Sequence, residues 1–167
     1  MRKQALNVIF RDTVHPSDPE AIFRLTESCE LFYPEETAVA RELAEERLAR
    51  GPSSGYEFLF AETDGIVIGY TCFGPIPFTQ GRFDLYWIAV RKDLQGTGIG
   101  RRLLQLTEVR IQEMKGRRVY VETSSRKIYE PTHQFYHACA YRTETVLKDF
   151  YADGDDKVIY LKDLICR

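Results

Sequence analysis

An apolar, aromatic run, Leu85-Tyr-Trp-Ile-Ala-Val90, leads straight into Arg91-Lys-Asp-Leu-Gln95-Gly-Thr-Gly-Ile-Gly100, and this junction constrains the fold more than any other stretch. The run reads as a strand. The apolar spacing that begins at Ile99 predicts a helix immediately after the glycines. Gly96, Gly98 and Gly100 free backbone N–H groups to converge on one point without Cβ interference. The helix N-terminus adds partial positive charge there, and Arg101 and Arg102 follow directly. Such a cradle suits a diphosphate.

Two common phosphate-binding patterns fit poorly. A P-loop requires Gly-Lys-Ser/Thr, which occurs nowhere in the chain. A dinucleotide fingerprint requires G-x-G-x-x-G, whereas these glycines are spaced G-x-G-x-G, past mid-chain, where that fold would have to be truncated.

The full spacing, V-x-x-x-x-Q-x-x-G-x-G from Val90, resembles the acetyl-CoA-binding motif of the GNAT superfamily of N-acetyltransferases. A second segment, Phe135-Tyr136-His-Ala-Cys-Ala140-Tyr141, is similar to the family's F/L-Y-x-x-x-G-F/Y signature. One helix and one strand separate the two. The resemblance implies a central, mostly antiparallel sheet flanked by helices, with two neighbouring strands splayed apart. The general class is α/β, of the mixed α+β kind.

The order of elements read from the residues agrees. Strands are expected over Asn7 to Arg11, Phe58 to Glu62, Ile66 to Phe73, Arg82 to Val90, Val119 to Thr123, Tyr141 to Leu147 and Lys157 to Lys162. Helices are expected over Ala21 to Leu31, Glu35 to Arg50, Gly98 to Lys115 and Pro131 to Cys139. Val39, Leu43, Ala44 and Leu48 are expected inward on the second helix, and Ile99, Leu103, Leu106 and Met114 on the third. Thr63-Asp64-Gly65 reads as a hairpin turn. No repeat or linker interrupts residues 1–167, so one domain is expected.

Composition bounds the partners. Twenty-three basic and 25 acidic residues leave a net charge of -2, which argues against a general nucleic-acid binder. No apolar run is long enough to span a bilayer, and no secretory pattern follows Met1, so a cytoplasmic protein with no membrane partner is expected. Cys29, Cys72, Cys139 and Cys166 lack metal or disulfide spacing. His133 and His137 stand four apart on an expected helix but lack a third ligand, so no metal is expected.

The resemblance also assigns roles. Backbone groups of Ile88, Ala89 and Val90 would bond the pantetheine arm of acetyl-CoA in the gap between splayed strands. Gln95, Gly96, Thr97, Gly98, Ile99, Gly100 and Arg101 would wrap the diphosphate. Tyr136 matches the family's general acid towards the CoA sulfur. Asp84 stands where some members carry a catalytic glutamate, and Glu122 on the partner strand is a second candidate base. Ser124 and Ser125 are candidate water holders.

The acceptor pocket of such proteins draws on the first helices and the last hairpin. That nominates Phe32, Tyr33, Glu35, Glu36, Phe150 and Tyr151, where carboxylates attract an amine and aromatic faces hold it. Two departures from the family pattern stand out: Tyr129 replaces a frequent asparagine, and Ala140-Tyr141 replaces Gly-Phe. The implied activity is transfer of an acetyl group from acetyl-CoA to a primary amine, small or peptidic, by direct attack in a ternary complex. The alternative is a catalytically idle acyl-CoA-binding or regulatory domain. Similar proteins commonly form homodimers.

Overall fold

A computed structural model describes residues 6–164. The elements are β1 (Ile9–Arg11), α1 (Asp18–Ser28), α2 (Pro34–Arg50), β2 (Glu57–Thr63), β3 (Ile66–Pro75), β4 (Arg82–Val90), α3 (Ile99–Glu113), β5 (Arg118–Ser124), α4 (Glu130–Ala138), β6 (Arg142–Ala152) and β7 (Asp155–Asp163). Seven strands form one sheet in the order β1-β2-β3-β4-β5-β7-β6. Pairing is antiparallel for β1–β2, β2–β3, β5–β7 and β6–β7, and parallel for β4–β5. The mixed, mostly antiparallel architecture matches the expectation.

Two compact units divide the chain, with boundaries inside β3, inside β4 and inside α3. The first comprises residues up to Phe73 together with Trp87–Thr107. Its core joins Ile22 and Leu25 of α1, Ala40 and Ala44 of α2, and Phe58, Phe60, Tyr70, Cys72 and Ala89 of the strands. Pro34 and the acidic pair Glu35 and Glu36 start α2, as helix first turns favour. The inward face of α2 is Thr37, Ala40 and Ala44, whereas Val39 and Leu48 are 45% and 40% exposed. Small side chains let α2 lie close against α1, so the bulkier residues turn outward. α1 starts at Asp18, earlier than expected. Ser17 makes no side-chain cap; instead the Asp18 carboxylate accepts from the His15 N–H at 2.6 Å and from the Arg11 guanidinium.

The second unit comprises Gly74–Tyr86 and the chain from Glu108 onward. The parallel pairing of β4 with β5 covers Arg82–Asp84 against Arg118–Tyr120 and goes no further, while β5 continues along β7 to Ser124. β6 is longer than its expected span, and all eleven of its residues are exposed. In α3, fully buried positions are Leu103, Leu104, Thr107 and Ile111, while Leu106, and Met114 just past its end, are only half-buried. Gly116 follows α3 because a Cβ there would meet Ile111 Cγ2 at 2.2 Å and Phe83 at 2.9 Å. Among the described residues no helix is long and apolar enough to cross a membrane. Cys166 lies outside the described residues.

Candidate active site

In the first unit, β4 ends at Val90, where the Arg91 N–H still donates to the Ile68 carbonyl at 2.8 Å. The chain then turns back on itself. Gln95 Nε2 donates to the Val90 carbonyl at 3.0 Å, so the loop is tied to the strand that feeds it. Thr97 Oγ1 donates to the Leu94 carbonyl at 2.6 Å, closing a second local ring. Gly96 and Gly98 take φ of +75° and +93°, a region that side chains enter only at a cost. A Cβ at either would meet nothing within 4 Å, so the space beside the loop is open. Gly100 already lies in the first turn of α3.

These features place Gln95, Gly96, Thr97, Gly98, Ile99, Gly100 and Arg101 around the start of a 15-residue helix. Gln95 to Gly98 are exposed and Ile99 is buried, which anchors the helix end beneath an accessible loop. Such a surface fits an anionic diphosphate. Ala89 and Val90 are buried and Ile88 half-buried on the approaching strand. The Val90 carbonyl is thus already engaged by Gln95, a point the sequence did not disclose.

Gly69 of β3 was also missed. A Cβ there would stand 3.0 Å from Leu103 Cδ1 and 3.1 Å from the Ala89 carbonyl, so glycine lets β3, β4 and α3 close together behind the loop. Of the acceptor candidates in this unit, Phe32 lies edge-on to Trp87 with ring centroids 4.8 Å apart. Tyr33 is exposed at the head of α2, where its N–H donates to the Glu36 carboxylate at 2.7 Å. Glu35 is exposed in the same turn.

In the second unit the pleat sorts the remaining candidates. Asp84 pairs with Tyr120, Glu122 with Ile159, and Ser124 with Lys157, so Asp84, Glu122 and Lys157 share one face. Tyr160 points to the other face, and there the Tyr136 ring stacks on it at 5.5 Å. The fold therefore brings Asp84 and Glu122 together and holds Tyr136 on the opposite side of β5 and β7.

Burial pushes the Asp84 carboxyl up to about 6; Glu122 adds to the rise and Lys157 opposes it. A carboxyl so tuned is ionised at neutral pH yet basic enough to accept a proton. Lys157 was not foreseen. Its ammonium stands 2.7 Å from Glu122 Oε2 and 3.8 Å from the Phe150 ring centroid. Tyr151, like Phe150 an acceptor candidate of this unit, gives it a second ring at 5.5 Å. No local pattern around Lys157 signals this, because the contact depends on the β5–β7 register.

Tyr136 is buried among Phe135, Tyr141 and Tyr160. Burial, reinforced by Cys139 and Tyr160, raises its phenol above the ordinary range and keeps it protonated. Ser124 and Ser125 bind the last hairpin: Ser124 Oγ donates to Asp155, and Ser125 Oγ accepts from the Asp156 N–H at 2.8 Å. His133 Nε2 donates to the Ser124 carbonyl at 2.9 Å. Among the described residues no three His, Cys, Asp or Glu side chains converge as a metal site. Tyr129 is buried at the start of α4, with Arg126 over its ring at 5.3 Å.

Known proteins share this fold. A GNAT-family protein of Desulfovibrio desulfuricans is 44% identical and superposes with a TM-score of 0.93, covering 95% of this chain and 99% of that one. A Salmonella typhimurium protein solved with its cofactor acetyl-CoA has the same fold, with a TM-score of 0.76 at 17% identity, over 96% of this chain and 95% of that one. An uncharacterized N-acetyltransferase of Methanocaldococcus jannaschii is 30% identical over 105 residues, 63% of this chain and 65% of that protein, so the match spans just under two thirds of the relative's length. The profile of the Acetyltransferase (GNAT) family matches residues 20–141, a stretch that holds both glycine loop and Tyr136. The chain belongs to the acetyltransferase (GNAT) family.

Proposed function

We propose that the protein is an acetyl-CoA-dependent N-acetyltransferase that acetylates a primary amine, small or peptidic, by direct attack. The observation that carries this reading is the glycine loop. Its positive-φ turns at Gly96 and Gly98, braced by Gln95, open α3 with bare amides and space beside them. The residues fit the group the family uses, and acetyl-CoA bound there would supply an activated thioester. Gln95 to Arg101 hold the diphosphate, and the end of β4, Ile88 to Val90, lines the arm. The family match runs through both units, which supports one N-acetyltransferase domain over 1–167, and a cytoplasmic setting follows from the nature of the co-substrate.

Asp84 takes the proton of the incoming ammonium. An alkyl ammonium titrates near ~10, so a carboxyl at about 6 draws off its proton uphill, directly or through water, before the freed lone pair attacks the thioester carbonyl. The nitrogen's surplus proton follows as the adduct collapses and CoA leaves as the thiolate. Glu122, itself paired with Lys157, raises the basicity of Asp84. In this reading the thioester lies beyond the last β4–β5 pair, where Asp84 meets it from one face of the sheet and Tyr136 from the other. A thiol titrates near ~8.5, below a phenol raised by burial, so Tyr136 stabilises the thiolate as a hydrogen-bond donor rather than by complete proton transfer. Phe32, Tyr33 and Glu35 of the first unit are the acceptor-binding residues this reading keeps, while Tyr151 of the second is engaged by Lys157.

Screening amines for CoA thiol release tests the reading. Release that depends on both an amine and acetyl-CoA is expected. Tight acetyl-CoA binding with no release for any amine would favour the idle acyl-CoA-binding alternative.

A further inference from the structure

Lys157 is an uncommon neighbour for a base that must receive an ammonium. Its side chain is only 13% exposed, although long cationic side chains normally reach into water. Three groups hold it: the Glu122 carboxylate at 2.7 Å, the Phe150 face at 3.8 Å and the Tyr151 ring at 5.5 Å. Carboxylate and aromatic faces are the chemistry that recognises an alkyl ammonium, so the protein's own cation fills that place.

We propose that Lys157 determines acceptor specificity: its ammonium occupies Glu122 and the Phe150–Tyr151 rings, leaving Asp84 as the one carboxylate of this cluster open to an incoming amine. The acceptor class is then a monoamine, with one cationic group at the reacting end. A diamine or polyamine would bring its second charge against Lys157, and like charges brought together oppose binding. This rests on the acetyltransferase reading for the chemistry, and on the cluster's geometry for the selection.

The surroundings support the assignment. The charged groups that act on Asp84 are Glu122 on β5 and Lys157 on β7, while Arg82 and Arg118 lie one pair further along the same face, where Arg118 is held by Asp163. Hydrogen bonds from the end of β5 to Asp155 and Asp156 fix the turn that presents Phe150 and Tyr151. The Asp149 N–H donates to Asp156 Oδ1 at 2.9 Å, and the Gly154 N–H to Asp149 Oδ1 at 2.7 Å. The cage is therefore braced from both strands of the hairpin.

Hexylamine and 1,6-diaminohexane are matched probes with one and two ammoniums. Their binding to the wild type, Lys157→Met and Lys157→Arg is read by chemical-shift perturbation, and their turnover by thiol release. The wild type and Lys157→Arg should prefer the monoamine, and Lys157→Met should move the affinity ratio at least about tenfold towards the diamine. Lys157→Gln, which keeps a polar end, makes the same comparison should the methionine variant not fold. An unchanged ratio in the neutral variants would overturn the inference. A shifted binding ratio with no thiol release from any variant would instead sink the acetyltransferase reading and leave the selection role standing.

Discussion

The side-chain amide of Gln95 donates to the carbonyl of Val90 across 3.0 Å, so the loop that opens α3 is fastened to the last residue of β4. Strand and loop thus keep one geometry before any ligand arrives, and the cost of ordering the loop is met in folding.

Gln95→Ala should weaken acetyl-CoA binding by about fivefold, the worth of one ordinary hydrogen bond. Gly98→Val should do worse, since φ of +93° is strained for a β-branched residue by about 1–3 kcal/mol. Titration calorimetry with CoA measures both. Equal affinity of Gly98→Val and wild type would remove the loop from the binding site.

Asp84 should set the acidic limb of kcat/KM near its elevated value of about 6, with activity falling tenfold per pH unit below it. Asp84→Asn should lose about 10²–10⁴-fold in kcat. Survival of that limb in the asparagine variant would move the base to Glu122 or to a water.

The same carboxyl carries a stability signature of defined sign. A carboxyl raised on folding binds its proton more tightly in the native state, so its ionisation destabilises the fold as pH rises from about 4 to about 6. Asp84→Asn should therefore melt a few degrees above wild type at pH 8, on the order of 2–4 °C per kcal/mol recovered, and level with it at pH 4. Thermal melts at the two pH values decide it.

Tyr136→Phe should keep the fold and CoA affinity, because the ring that stacks on Tyr160 is retained, while kcat falls by at least about tenfold. Stopped assays with saturating acetyl-CoA check this. Full turnover would leave Tyr136 as a core aromatic.

Gly116→Ala should destabilise by about 1–3 kcal/mol, the usual cost of overpacking, because its Cβ would lie 2.2 Å from Ile111 Cγ2. Chemical denaturation reads the change. A neutral substitution would mean that α3 shifts freely at its end.

The glycine loop was legible because spacing, strand and helix all act within fifteen or so residues, where local chemistry dominates. Helix existence was likewise readable from apolar period, and Leu43 and Ala44 face the core as expected, but Val39 and Leu48 lost the interior to Thr37 and Ala40 because closeness to α1 outweighs hydrophobicity. Lys157 was hidden because its place beside Glu122 follows from strand pairing at long sequence distance. Ser124 and Ser125 read as polar residues near the base, yet their hydroxyls are spent on holding the β6–β7 turn.

β6 ends the sheet with eleven uncovered residues, among them Val146, Leu147, Phe150 and Tyr151. Its ladder with β7 slips between Thr143 and Thr145 and again between Leu147 and Ala152, and Asp149 sits at φ of +51°. A straight margin of that composition would template stray chains into fibres. The crooked one offers no run of matching donors and acceptors long enough to seed such growth, so irregularity here serves as the molecule's protection against its own stickiness.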